Sequence, residues 1–313
     1  MTQPRKPWLV SGIIREGTTV FLSGREGVGK SIVALELAAC VAGGREFFGN
    51  AVSQGEVVYV AAERGDSQRE RLEALRDAKG VNPDCINFID YQFKFNHKED
   101  KGLFLGAVAQ NGIKPKLIII DTLRASFDGD ENSSANAQAT MDAFTRIRRH
   151  FDATIIVLHH VNAFGQSRGS SAFLGAADTE LYVTNSKRTG KVFLTVRKQN
   201  NGKTWTKFVL SPQLLEFGND YSSIVLNLDG TELLDAAPEE DDEETSRDTT
   251  IVTVIDSHAE PVSLNRLHKD LAQIEGKARN KNSLKEDVKR LAEQELITFT
   301  ESGNTFLIGS VGV

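Results

Sequence analysis

Eight residues from Gly24 to Ser31, GREGVGKS, match GxxxxGK[ST] in full between an apolar strand and an apolar helix. That context defines a phosphate-binding loop. Gly24, Gly27 and Gly29 let backbone N–H groups curl around a β-phosphate without Cβ clashes, and the positive end of the helix faces the anion. The expected nucleotide-binding set is Gly24, Arg25, Glu26, Gly27, Val28, Gly29, Lys30, Ser31 and Ile32. Lys30 would bridge the β- and γ-phosphates of ATP. Ser31 would offer its hydroxyl to Mg2+, a hard cation that keeps most of its waters and takes one or two protein oxygens.

A second metal contact should come from an acid at the C-terminal end of another buried strand, because that edge of a parallel sheet gathers ligands. The run KLIIID supplies Asp121, a carboxylate too costly to bury without a cationic partner. Hydrolysis also needs a group that orients or deprotonates water. EVVYVAAE ends in Glu63, which is the expected catalytic base, and Arg64, Asp66 and Glu70 beside it read as an exposed helix start. TIIVLHH ends in His159 and His160. Alternation turns the two to opposite faces, and His160 is the one expected to sense the γ-phosphate. Pointing apart, the pair is a poor transition-metal site.

These residues need a scaffold that brings several strand ends together. Before residue 179, short apolar runs alternate with amphipathic stretches: TTVFLSG then SIVALELAACVAGG, EVVYVAAE then SQRERLEALRDAKG, INFID then KGLFLGAVAQNG, KLIIID then AQATMDAFTRIRRH, then TIIVLHH. Strands alternating with helices imply βαβ units and a mostly parallel sheet. From Thr179 the rhythm changes to ELYVT, KVFLTVRK, TKFVLS and SSIVLNL, with turns at Arg188-Thr189-Gly190 and Asn201-Gly202, which predicts antiparallel strands extending one edge.

The stretch APEEDDEETSR has no aromatic residue and no apolar period, and reads as a solvated linker. Beyond it, helices are expected over 249–257, 264–274 with Ser263 as N-cap, and 283–295, followed by a hairpin turning at Ser302-Gly303-Asn304. Three helices and a hairpin form the winged-helix pattern. Lys277, Arg279, Lys281, Lys285, Lys289 and Arg290 lie near its groove-facing element. The fold class is thus α/β, with a P-loop, a mostly parallel sheet and antiparallel edge strands, plus a small C-terminal winged helix. Domain bounds fall at 1–236, 237–247 for the linker, and 248–313.

With 40% apolar and 26% charged residues, the chain can bury a core and is not disordered overall. Cys40 and Cys85 alone cannot form a disulfide scaffold or a four-thiolate zinc site, and they fit a reducing compartment. No apolar run reaches membrane-span length, and residues 1–7 lack the apolar core of a secretory signal, so a cytoplasmic protein with no membrane association is expected. Six acids between Glu239 and Glu244 equal the whole net charge of −6, so the rest of the chain is neutral and a polyanionic partner is not excluded.

The order of GREGVGKS, VVYVAAE, LIIIDTL, IIVLHH and SRGSSAFLGAAD resembles the RecA-fold ATPases of the RepA type, plasmid and phage replicative helicases related to the DnaB and KaiC groups. The likeness spans roughly Pro7 to Leu228, and REFFGNAVSQGEVVYVAAERGDSQRERLEAL is especially close to the family pattern. The resemblance implies a RecA-like fold, Glu63 as catalytic carboxylate, Asp121 as Walker B acid and His160 as sensor. It also implies a homo-oligomeric ring, a hexamer, with ATP between subunits and a lysine and an arginine supplied by the neighbour. Lys198 falls on the lysine position, but Asn200 stands where related helicases have the arginine. An arginine finger is worth about 10³–10⁵ in rate. Either Arg197 or Arg168 replaces it, acting across the interface or on DNA, or the chain is a slow ATPase.

The segments Arg124 to Ser134 and Val161 to Ala177 correspond to the pore-lining loops of such rings. The second, with Arg168, Phe164 and Phe173, suits the phosphates and bases of single-stranded DNA. The first is acidic. Two functions of different class remain: a ring-forming helicase or translocase in replication of a plasmid, phage or mobile element, with a replication partner met through the winged helix, or an ATP-gated binding, regulatory or recombination accessory module with little unwinding.

Overall fold

A short antiparallel pair opens the chain, β1 (Trp8–Val10) with β2 (Ile14–Arg15), before the alternating series begins. The series runs β3 (Thr19–Gly24), α1 (Lys30–Gly43), β4 (Glu56–Ala61), α2 (Gly65–Lys79), β5 (Ile86–Ile89), α3 (Lys98–Gln110), β6 (Pro115–Asp121), α4 (Ser134–Phe151) and β7 (Thr154–His160). A four-residue helix α5 (Ala172–Gly175) leads to β8 (Thr179–Asn185), β9 (Val192–Gln199), β10 (Thr206–Phe217) and β11 (Tyr221–Leu233). This computed structural model describes the chain except residues 1–5, 63–64, 81, 83–85, 131–132, 162–171, 187, 201, 218–220, 235–249, 256, 259, 276–277, 294–296, 303–304 and 311–313. The chain divides between Ala237 and Pro238 into two compact units.

In the first unit, nine strands among the described residues form one sheet in the order β11-β10-β9-β8-β3-β7-β6-β4-β5. Strands β8, β3, β7, β6, β4 and β5 run parallel, and β9, β10 and β11 are antiparallel. This mixed sheet fits the expectation of a mostly parallel sheet extended by antiparallel strands at one edge. The first of the four late strands departs from it. β8 pairs parallel with β3 rather than antiparallel, because the chain between His160 and Thr179 is long enough for a crossover that returns to the same end of the sheet.

The hairpin of β10 and β11 is also longer than its apolar runs suggest. β9 pairs only with Lys207 to Leu210, and beyond that point the two strands continue as a ribbon. Leu210, Val225 and Leu226 of this hairpin pack in the same cluster as Val33, Leu37 and Val41 of α1 and Leu72 and Leu75 of α2. The ribbon persists because it has helices to cover, a tertiary demand that a local pattern cannot reveal.

Alternation along the central strands divides the core in two. Leu22, Tyr59, Leu117, Ile119, Ile156 and Leu158 face α1 and α2, while Phe21, Val58, Ile118, Ile120, Ile155 and Val157 face Phe104 of α3 and Phe144 of α4. Among the described residues, no helix is long and apolar enough to cross a membrane.

The second unit holds a helix over residues 250–255 (α6), β12 (Val262–Ser263), α7 (Leu264–Glu275), α8 (Lys281–Glu293), β13 (Ile297–Ser302) and β14 (Thr305–Ser310). Its sheet has the order β12-β14-β13. Ile251, Ile255, Leu267, Leu271, Leu284, Val288 and Ile308 form its core. Ser263 Oγ accepts the amide of Arg266 at 3.3 Å, capping α7 at its N-terminus.

Candidate active site

Period-two alternation decides which side chains can meet the loop before α1. On β6 the series Leu117, Ile119 continues to Asp121, on β7 Ile156, Leu158 continues to His160, and on β4 Val57 continues to Tyr59. All three series share the face that carries α1. His159, one residue earlier, turns to the other face, where its ring meets Phe21 edge-on at 5.8 Å. Strand ends and the loop thus converge on one cavity, lined by Glu26, Gly27, Gly29, Lys30, Ser31, Ile32, Ala61, Gln68, Arg71, Asp121, Thr122 and His160.

The loop geometry explains its glycines. An added Cβ on Gly24 would stand 2.5 Å from the Val183 carbonyl oxygen. Gly29 is the N-cap of α1 at φ 102, a backbone shape that side chains resist, and it supplies no side-chain cap. The first turn of the helix therefore faces the cavity without a side chain of its own across the N-cap. Of the expected phosphate-binding residues, Gly24 and Arg25 contribute carbonyls to Lys30, and the Val28 side chain packs into the core rather than the cavity.

Lys30 is buried and folds back on its own loop. Its Nζ donates to the carbonyls of Gly24 at 2.9 Å and Arg25 at 2.6 Å, and lies 3.2 Å from His160 Nδ1. A protonated amine has no acceptor capacity, so Lys30 can only donate in this contact. An anion entering the loop competes for the same ammonium.

Asp121 is buried and lines the same cavity. Its Oδ2 accepts the Tyr59 hydroxyl at 2.7 Å and the Gln68 amide at 3.3 Å. Burial first, then the neighbouring Asp121 charge and hydrogen bond, push the Tyr59 phenol well above its usual range, so it stays a donor. Arg71 Nη1 donates to Gln68 Oε1 at 3.3 Å. The donor set suits a magnesium-bound triphosphate: glycine amides and Lys30 for phosphate, and a hydroxyl and a carboxylate for the cation.

Sequence reasoning missed Gln68 and Arg71. The stretch SQRERLEALRDAKG reads as an amphipathic helix, and nothing in its polar spacing tells which polar turn faces the cavity. Glu63 and Arg168 lie outside the described residues, as does Phe164. Arg197 stacks over the Tyr182 ring of its own chain at 3.2 Å, near Glu180, whose carboxyl is raised by burial against the pull of Arg197. Lys198 Nζ is exposed and donates to the Gly175 carbonyl at 3.4 Å. Neither cation lines the cavity of its own chain. Phe173, expected on a DNA-facing loop, is instead fully buried among Phe21, Phe127 and His159, because an aromatic ring beside an apolar sheet face is drawn into it.

Together the sheet and this cavity define a P-loop nucleotide-binding domain. Residues 1–166 match the family described as AAA domain, more than half of the 313 residues, and the chain belongs to that family. No curated protein matches it in sequence. Among solved structures, the crystal structure of the RadB recombinase is similar over 63% of this chain and 87% of that one, at 17% identity and a TM-score of 0.48. So distant a likeness bears on neither activity nor partners.

Proposed function

We propose that the chain is a Mg2+-dependent ATP hydrolase that assembles in a ring, a homo-hexamer, and moves on or unwinds single-stranded DNA. One observation carries the ATPase reading: Lys30, Ser31, Asp121 and His160, drawn from two strand ends and one helix, line a single cavity. In this reading Lys30 exchanges its loop carbonyls for β- and γ-phosphate oxygens. Ser31 and Asp121 hold Mg2+, which when bound neutralises charge on the transferring phosphoryl group. Glu63 orients and deprotonates the attacking water. His160 loses its lysine contact when Lys30 turns to phosphate, and so reports whether a γ-phosphate is present.

Arg71 enters the same cavity within one chain, and we assign it part of the cationic role that Asn200 cannot fill. Lys198 is the proposed trans-acting lysine, with Arg197 or Arg168 as additional contacts to a neighbour or to DNA. For the second unit, the order of helix, strand, two helices and hairpin supports a winged helix. Lys281, Lys285 and Lys289 recur every four residues along α8, a spacing that aligns cations for a duplex backbone. A replication partner is the other occupant this unit would take.

A second reading, an ATP-gated regulatory or recombination accessory module, is favoured by Asn200 and by the stacking of Arg197 on Tyr182. ATP turnover with and without single-stranded DNA at low salt, beside native mass in a non-hydrolysable nucleotide, separates the two. Stimulated turnover of a ring supports the motor. Turnover near zero with nucleotide-dependent assembly supports the gated module, and failure of DNA to stimulate at low salt rules out helicase action.

A further inference from the structure

We propose that Tyr59, assisted by Gln68, is a positioning residue of the metal site, fixing the Asp121 carboxylate for Mg2+. The proposal rests on the nucleotide-site reading above and adds residues that no phosphate-loop pattern contains. Tyr59 sits in the middle of β4, fully buried, and the β4–β6 register sets it opposite Ile119 and sets Ala61 opposite Asp121. A phenylalanine would fill this apolar position equally well. The hydroxyl is the feature that packing does not need, and a buried O–H must find an acceptor. Its acceptor is Asp121 Oδ2, at 2.7 Å.

Gln68 reaches the same oxygen from α2 at 3.3 Å. Which way its amide faces is set by Arg71, which donates to Gln68 Oε1 and so turns Nε2 toward the aspartate. One carboxylate oxygen is thereby held from two elements, a rigid central strand and the helix that also brings Arg71 to the cavity. Both donors are neutral. They orient the carboxylate without cancelling its charge, which is what a residue serving a cation requires. Groups that orient metal-binding carboxylates commonly change metal affinity by about 10- to 100-fold when removed.

The test follows the Mg2+ requirement for binding a fluorescent ADP analogue. Tyr59→Phe is expected to raise the Mg2+ concentration for half-maximal tightening by about tenfold or more, and Gln68→Leu by less, because its bond is longer. Affinity in EDTA, set by the loop and Lys30, stays at the wild-type value in both, a separation that loss of folding would not produce. Asp121→Asn marks the full loss of the metal term. Wild-type Mg2+ titrations in both Tyr59→Phe and Gln68→Leu, while Asp121→Asn is shifted, overturn the proposal and leave the nucleotide site intact. If Lys30→Ala binds nucleotide as tightly as the wild type and Asp121→Asn titrates normally, the site itself is wrong and the proposal falls with it. Should Tyr59→Phe not fold, an unshifted Gln68→Leu alone overturns it.

Discussion

Replacing Lys79 with Met probes how the two helices framing the cavity are joined. Glu36 on α1, the helix of Lys30 and Ser31, has a side chain only 7% exposed, and Lys79 on α2 meets its Oε1 at 2.7 Å and the Leu226 carbonyl at 2.6 Å. Burial already raises the Glu36 carboxyl above 4.5, and Lys79 is the first force opposing that shift. Methionine keeps the stem and removes the charge, leaving a buried carboxylate and a carbonyl short of a donor. Breaking a buried pair costs about 3–5 kcal/mol. The Lys79 side chain retains 25% exposure, so water takes up part of the loss and about 2–3 kcal/mol is expected.

For a unit of this size that lowers Tm by roughly 4–12 °C. A carboxyl raised in the fold is held more readily when protonated, so the burial penalty is absent below its unfolded value and grows as pH rises through the folded one. Losing Lys79 raises the folded value further. The deficit of the variant is therefore greatest at neutral pH and narrows toward about pH 5. Urea unfolding at both pH values, with Glu36→Met/Lys79→Met as the double variant, measures it. The double variant should recover much of the loss, since an apolar pair of similar volume carries no stranded charge. A Lys79→Met deficit of less than about 0.5 kcal/mol at neutral pH, the range of an exposed pair, refutes the reasoning.

Arg71→Ala should lower kcat by roughly 10²-fold with a much smaller change in nucleotide affinity, because the cation is placed to act on developing charge; unchanged single-turnover hydrolysis contradicts that role. Burial pushes the Cys40 thiol to about 12, so at pH 8 iodoacetamide should label it only in urea, as read by peptide mass spectrometry, and rapid native labelling would show the site to be open. Phe173→Ala should cost about 3–5 kcal/mol in unfolding free energy. Wild-type stability with lost DNA binding would return that ring to the DNA loop.

The outline of the site was legible because two strands end in a side chain that alternation aims at one face. KLIIID and TIIVLHH announce Asp121 and His160 by burial alone, and the placement of His159 between Phe21 and Phe173 follows the same period. Gln68 and Arg71 were hidden, since α2 is polar on most of its turns and only the packing of Leu72 and Leu75 fixes its rotation. Tyr59 was hidden for a different reason: within VVYVAAE it is one more β-forming residue, and its hydroxyl matters only through Asp121, 62 positions away. The direction of β8 and the length of the β10–β11 ribbon depend on contacts with β3, α1 and α2 that no local pattern encodes. Phe173 shows the opposite error, where loop-like composition concealed a core ring.

The central claim is that one rim of the sheet binds and hydrolyses MgATP through Lys30. Steady-state phosphate release by the wild-type chain and by Lys30→Ala, in saturating Mg2+ and ATP, examines it most directly. The account requires turnover in the wild type and a fall of about 10²-fold or more in the variant. Equal rates in the two proteins would contradict it.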